Sequence, residues 1–282
     1  MKWGIERRLE FIEFRLFWEG GVNRSDIVAE FGVSVPQASK DLALYQEQTS
    51  NNIWYDGSRK RYFASLTFLP RFIKLDSDAY LERYTATKTP DGDGWVSIPL
   101  SAGTVPIPQR RIEPSVLRTL LECIRETWSV EILYQSMSVA RPKPLWRRVS
   151  PHAFGFDGLR WHTRAYCHIE GKFKDFILSR CLDIRAPGES GASPSQDQFW
   201  TRHFPVSLCP NPRLSPSQQE IVAQDFTMEN GQLIVPVRSA MLYYFSKRLR
   251  LDVSERFDDP HEAPIVVKNR GAFDAALAEA MR

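Results

Sequence analysis

The segment that most constrains this chain runs from Arg160 to Ile169. Its residues alternate in character: Arg160, His162, Arg164, Tyr166 and His168 share one register, and Trp161, Thr163, Ala165, Cys167 and Ile169 the other. Successive side chains of a strand point to opposite faces, so the pattern predicts a half-buried strand with one polar, cationic side. Glu170-Gly171-Lys172 supplies a turn, and Phe173 to Ser179 reads as the returning strand. Upstream, Phe156-Asp157-Gly158-Leu159 carries the Asp-Gly signal of another tight turn.

Cations on a sheet face repel one another and are costly to dehydrate, so they call for an anionic partner. From Ser138 to Arg185 there are 10 Lys or Arg against 4 Asp or Glu, an excess of +6, whereas the whole chain nets +3. The plain interpretation is a solvated basic sheet face. The sharper one is a pocket for an anionic ligand such as a nucleotide or oligonucleotide.

At 282 residues and 43% hydrophobic, the chain is expected to form two or three globular domains. The N-terminal MKWGIERRLEFIEFRLFWEGG is charged every few residues, unlike a signal peptide or an anchor, and no uninterrupted apolar run nears about 18 residues. Cys123, Cys167, Cys181 and Cys209 lack paired spacing, which fits free thiols in a reducing cytoplasm.

Ile5 to Trp18 predicts a helix with Leu9, Ile12 and Leu16 facing a core, ended by Gly20-Gly21. Its additional rings, Phe11, Phe14, Phe17 and Trp18, are expected to pack against a neighbouring domain or a second subunit. Asn23 caps a short helix, Ser25 to Phe31, and a turn at Gly32-Val33-Ser34 leads to a third, Val35 to Gln46. Ser34 is its expected N-cap, with Pro36 in the first turn. Ala38, Leu42 and Tyr45 form its apolar stripe, with Gln37 and Lys40 turned away. Such a pair of helices could be an ordinary helical hairpin. However, Asn52 to Phe63 follows as a β-hairpin around Asp56-Gly57, and a hairpin in that place is a wing. The second helix would then lie in a DNA major groove, with Ser34, Gln37, Ser39 and Lys40 near base edges and backbone, and Arg59, Lys60 and Arg61 on the wing meeting phosphates. Residues 1–65 hold nine Lys or Arg and nine Asp or Glu, so DNA binding must rest on local placement and on two copies.

The remaining chain divides as follows. Residues 67–112 read as a connector, with a short helix from Asp76 or Ser77 to about Thr87, a loop at Thr89–Gly94 and an edge strand at Trp95–Leu100. Glu113-Pro114-Ser115 starts an amphipathic helix whose stripe is Val116, Leu117, Leu120, Leu121, Ile124 and Trp128. Val130 to Ser136 is a strand, and the basic strands follow. Ala186 to Gln198, rich in Gly, Ser and Pro, reads as a linker. Beyond it, strand, helix, strand, helix, strand and helix predict a small α+β domain.

Tyr134 in VEILYQS, then RRVSPHAFGFDGLRWHTRAYC, then FILSRCLDI resembles the WYL domain of bacterial transcription regulators. Trp161-His162-Thr163 stands where that family has Trp-Tyr-Leu, so only the Trp of the triplet matches. The resemblance implies an α+β chain: a winged helix-turn-helix at 1–66, the connector at 67–112, a small Sm-like β-barrel WYL domain at 113–187, and a WCX-like dimerisation domain at 198–282. It also implies a basic pocket lined by Tyr134, Ser136, Arg148, His152, Trp161, His162, Arg164, Tyr166 and Arg180. Arg164 and Arg180 are its foremost members, because guanidinium forks hold phosphate bidentately.

No P-loop, G-x-S-x-G, G-x-G-x-x-G, C-x-x-C or H-E-x-x-H occurs. Strand alternation also sets Cys167 opposite His162 and His168, which disfavours a metal site; no cofactor or catalysis is expected. The domain order is similar to the BrxR/CapW group of repressors found with anti-phage defence systems. That implies a cytoplasmic homodimer on operator DNA, controlled by an anionic ligand at the WYL domain. The alternative is an accessory protein that binds single-stranded nucleic acid without a regulatory role.

Overall fold

The computed structural model describes residues 2–49, 51–86, 95–96, 105–254 and 259–281. The chain forms two compact units, residues 1–106 and 107–282.

In the first unit, α1 (Lys2–Trp18), α2 (Arg24–Phe31) and α3 (Val35–Gln48) precede a hairpin of β1 (Ile53–Asp56) and β2 (Arg61–Ala64), and α4 (Ser77–Ala86) follows. The local signals explain the breaks. The Asn23 side chain and Asp26 cap each other's backbone at the start of α2, Gly32 ends it at φ 62°, and the Ser34 side chain caps α3. Leu9, Ile12, Leu16, Ile27, Ala38, Leu42 and Tyr45 form the core. The additional rings of α1 find partners in the connector residues of this unit. Phe11 and Phe14 pack edge-on against Trp95, Trp18 stacks on Tyr80 at 4.5 Å, and Phe17 faces Phe68. Glu13, fully buried, accepts hydrogen bonds from the Tyr45 hydroxyl and from the backbone N–H groups of Arg71, Phe72 and Ile73, tying the connector to α1. The expected loop at 89–94, and the strand at 95–100 beyond Trp95 and Val96, lie outside the described residues.

In the second unit, α5 (Pro114–Arg125) buries Val116, Leu120 and Cys123 against the sheet, whereas Trp128, just beyond it, is largely exposed. The antiparallel sheet comprises β3 (Ser129–Tyr134), β4 (Leu145–Phe156), β5 (Trp161–Cys167), β6 (Lys172–Ile177) and β7 (Cys181–Gly188), in the order β6-β5-β4-β3-β7. After α6 (Gln198–Thr201) come β8 (His203–Pro210), α7 (Pro216–Asp225), β9 (Leu233–Arg238), α8 (Leu242–Arg248), β10 (Ile265–Val267) and α9 (Arg270–Met281). Their sheet runs β10-β8-β9 around a core of Val206, Leu208, Val237, Leu242, Leu251 and Phe273.

Two features depart from the sequence pattern. The polar register of β5 is covered: His162 is buried and Arg164 is only 6% exposed, while Trp161 of the apolar register is 48% exposed. The expected linker is also ordered, with a 3-10 turn at Pro194–Gln196 leading into α6 and Asp197 buried at 1% exposure. The covering of Arg164 and the order of the linker share a cause. The linker folds back over the cationic face of β5 and inserts Asp197 against it.

Candidate functional sites

The first turn of α3 is built to face outward. Ala38, Leu42 and Tyr45 anchor the helix, leaving Val35, Pro36 and Lys40 exposed. The Ser34 Oγ accepts the Gln37 backbone N–H, and the Ser39 hydroxyl donates back to the Val35 carbonyl. The Gln37 amide Nε2 donates to Asp41 Oδ1 at 3.0 Å. Buried Asp41 in turn accepts Arg8 Nε at 2.7 Å and NH2 at 3.2 Å. Gln37 is thereby oriented, with its Oε1 and one amide hydrogen left over. On the wing, the Asp56 carboxylate accepts Ser58 N, Ser58 Oγ and Arg59 N, and these bonds lower its pKa. Arg59 extends into solvent and Lys60 takes a left-handed φ of 50° in the turn. Arg61 points elsewhere: its guanidinium donates to the Gly21 carbonyl at 2.6 Å and ties the base of the wing to the turn after α1. Gly21 is required there, because at φ 134° an added Cβ would meet the Tyr62 carbonyl at 2.5 Å.

The cationic face of the WYL-like sheet is held by carboxylates. Asp197 accepts Arg164 Nε at 2.7 Å and NH2 at 3.1 Å, His152 Nε2 at 3.0 Å and the Trp200 N–H at 3.2 Å. An ionised carboxylate only accepts, so His152 Nε2 carries the proton. Burial alone would raise the Asp197 pKa, but the bonds from His152 and Arg164 and the Arg164 charge bring it down to about 2. Arg164 also meets Asp175 at 3.2 Å. His162 Nε2 lies 2.9 Å from Asp157, which also accepts the backbone N–H groups of Leu159 and Arg160 and the Arg160 guanidinium. These bonds outweigh burial and hold Asp157 at about 2. Glu170 gathers Arg141, Arg147 and Lys174 and is likewise lowered to about 2 against the effect of burial.

The nine residues expected to line one pocket are therefore distributed. Arg164 and His152 share Asp197, and Arg164 and Tyr166 line a cleft of about 760 Å³ together with Asp175, Phe173 and Tyr244. His162 packs on the Tyr244 ring at 4.6 Å. Arg148 reaches Ser129, the Ala186 carbonyl and Glu131. Tyr134 is buried beside Phe176 and its pKa is raised chiefly by that burial; Arg180 lies next to it. Ser136 caps the Ser138 N–H in the loop after β3. Trp161 belongs to a separate cleft of about 380 Å³. Sequence reasoning did not find Asp197, Asp175, Asp157, Glu170 or Tyr244 as the partners of these groups. The turn signals at Asp157-Gly158 and Glu170-Gly171 marked two of these residues as turn formers but not as partners of the cations.

A capped helix with an exposed first turn, a hairpin after it, and a separate antiparallel sheet of the WYL pattern define a winged-helix regulator of transcription. Residues 4–86 match the family model of the BrxR transcriptional regulator winged helix-turn-helix domain, 115–186 the WYL domain, and 203–273 the BrxR C-terminal dimerization domain. The chain is 38% identical over 274 residues to a protein of Stenotrophomonas maltophilia described as the DNA-binding transcriptional repressor CapW, covering 95% of this chain and 91% of that one. Similar matches occur to proteins of the same description from Pseudomonas aeruginosa, at 37% over 95% and 90%, and Escherichia coli, at 35% over 99% and 93%. The chain belongs to the BrxR/CapW family of transcriptional repressors.

Proposed function

We propose that this chain is a homodimeric repressor that binds a pseudo-palindromic operator through two copies of α3 and its wing, and that it controls an anti-phage defence operon. The observation that carries this reading is the outward first turn of α3, capped by Ser34 and carrying the oriented Gln37 and exposed Lys40, ahead of a wing bearing Arg59 and Lys60. Near-full-length similarity to repressors of that description supports it. Two copies double the phosphate contacts that a charge-balanced reader needs and set the half-site spacing. An anionic nucleotide or oligonucleotide at the WYL domain is the signal that shifts the dimer between its DNA-bound and released arrangements. It does so by binding one arrangement more tightly.

The test is a mobility-shift and footprinting comparison, at physiological salt, between duplex from the chain's own promoter region and unrelated duplex of equal length. Specific binding tighter by about 1,000-fold or more is expected of an operator reader. Equal affinity for both, with a preference for single strands, would establish the accessory-protein alternative instead. A short single strand added to the repressor–operator complex is expected to release it.

A further inference from the structure

On the polar face of β5, Arg160, His162 and Arg164 already have carboxylate partners, so an incoming anion is served better where arginines lack them. Such a place exists at the β4–β5 turn. Phe156 and Trp161 are cross-strand partners on either side of the turn, with ring centroids 4.9 Å apart. They are 50% and 48% exposed, and Leu159 at the tip is 55% exposed. With Gly158, Arg160 and Ser179 they form one wall of the 380 Å³ cleft, and Ile107, Pro108, Gln109, Arg110 and Ile112 form the other.

Besides Arg160, which pairs with Asp157, two arginines meet this cleft: Arg110 lines it, and Arg248 lies against Gly158 at its edge. Arg110 is exposed and has no ion pair among the described residues. Arg248, at the end of α8, lays its guanidinium on Gly158 so closely that a Cβ there would stand 1.8 Å from its NH1. It too is exposed and has no ion pair among the described residues. The turn beneath is rigid: Asp157 takes four hydrogen bonds from Leu159, Arg160 and His162, which fixes where the rings and Gly158 sit. Half-exposed aromatic faces on a fixed scaffold beside exposed guanidinium groups match a nucleoside phosphate. The base stacks on a ring and the phosphate accepts from the arginines.

We infer that the Trp161–Phe156 cleft, with Arg110 and Arg248, binds a nucleoside phosphate, either free or as one unit of a single strand. This inference rests on the proposed nucleotide signal and assigns it a place apart from the Asp197-neutralised face. An apolar surface alone would equally suit a second copy of the chain; the exposed positive charge favours the nucleotide.

The experiment uses the full-length protein and measures binding of a fluorescein-labelled thymidine pentanucleotide by anisotropy, with adenosine monophosphate and inorganic phosphate as competitors. The variants are Trp161→Leu, Arg248→Gln, Arg110→Gln and, as a control of equal charge change, Lys143→Gln on the loop before β4. The substituted side chains are exposed or half-exposed, and light scattering with circular dichroism verifies fold and oligomeric state. Trp161→Leu is expected to weaken the pentanucleotide by about 10-fold or more, consistent with loss of one stacked base. Each Arg→Gln is expected to weaken it several-fold and to flatten its salt dependence, with Lys143→Gln unchanged. Competition by the monophosphate as well as by unlabelled strand identifies a free nucleotide as sufficient; competition by strand alone identifies the polymer. Either supports the site. Wild-type binding that all three variants leave unchanged overturns the placement while leaving the nucleotide signal standing. No binding by the wild type at low salt overturns the ligand class. Loss of dimer in Trp161→Leu with undiminished pentanucleotide binding assigns the rings to a contact between copies and overturns the site. If the pentanucleotide binds here and operator affinity does not change, the site stands and the regulatory role fails.

Discussion

Replacing Asp197 by alanine tests whether the cationic sheet face is a structural joint. The substitution removes the acceptor of two Arg164 bonds, of the His152 Nε2–H and of the Trp200 N–H, leaving Arg164 with Asp175 as its remaining carboxylate. Removing one partner of a buried, hydrogen-bonded ion pair costs about 3–5 kcal/mol. The loss falls on the local opening that lifts residues 194–201 off β5, so native-state hydrogen exchange is the fitting assay. At about 1.4 kcal/mol per factor of ten, amides of α6 and β5 should exchange roughly 100- to 3,000-fold faster than in the wild type. Asp197→Asn keeps one acceptor but opposes an amide donor to His152 and Arg164, and should fall between. Pairing Asp197→Leu with Arg164→Met removes both charges together and should restore much of the protection, since a buried pair and an apolar pair of similar volume are often equivalent. Protection in Asp197→Ala within a factor of three of the wild type would refute the reasoning. So would equal damage in the double variant.

Gln37→Ala should lower operator affinity by about 1–3 kcal/mol and abolish the preference at one base pair per half-site in a selection from randomised duplexes. Asp41→Asn should blur that same preference, because Gln37 then loses its charged anchor. Lys40→Gln, Arg59→Gln and Lys60→Gln should each weaken all duplexes alike and reduce the slope of log affinity against log salt by about 1. Arg61→Gln, which loses the bond to the Gly21 carbonyl, should instead raise wing mobility by nuclear magnetic resonance relaxation. Acid should loosen the second unit. Asp157 and Asp197, ordinarily at 3.8, and Glu170, ordinarily at 4.5, all sit at about 2 in the folded state. A depressed carboxylate stabilises above its ordinary pKa and loses that contribution as pH falls through its folded value. The window is therefore about pH 4.5 to 2, with roughly 2 kcal/mol at stake per group. A pH titration of near-ultraviolet circular dichroism that is flat through this window would contradict it.

The sequence made the element order readable because the signals were local. Asn23, Ser34 and Gly32 mark helix ends within a few residues, and the elements from His203 to Met281 follow hydrophobic runs separated by turn residues. The fold of the β5 region was readable for the same reason, since Asp157-Gly158 and Glu170-Gly171 stand directly beside the strand. The charge state of its polar face was not. The decisive carboxylate, Asp197, lies 33 residues from Arg164 in a stretch whose Gly, Ser and Pro content suits a flexible linker. Composition reports average chain entropy, whereas one buried Asp with four donors suffices to order a loop. The fate of Arg61 was hidden likewise, because its acceptor is a backbone carbonyl 40 residues away. Trp161 resisted reading for the opposite reason: period-two alternation assigns it to the apolar face, but it opens the strand, where the α5 layer no longer covers it.

The same magnitudes bear on where a signal can enter the WYL sheet. An anion that replaces Asp197 on Arg164 and His152 competes with a carboxylate that the chain supplies at the effective concentration of an intramolecular group, millimolar or more. A displacement that forfeits about 3–5 kcal/mol lowers the apparent affinity of such a ligand by roughly 100-fold or more, unless the displaced segment finds new partners. Arg110 and Arg248 carry no such competitor among the described residues, so a phosphate there bears no displacement penalty. The two sites therefore differ in what binding does. Occupancy of the Trp161 cleft can be tight and leave Asp197 seated. A ligand that takes Asp197's place on Arg164 lifts the segment that leads into the dimerization domain, so binding in that mode changes the joint in the same act.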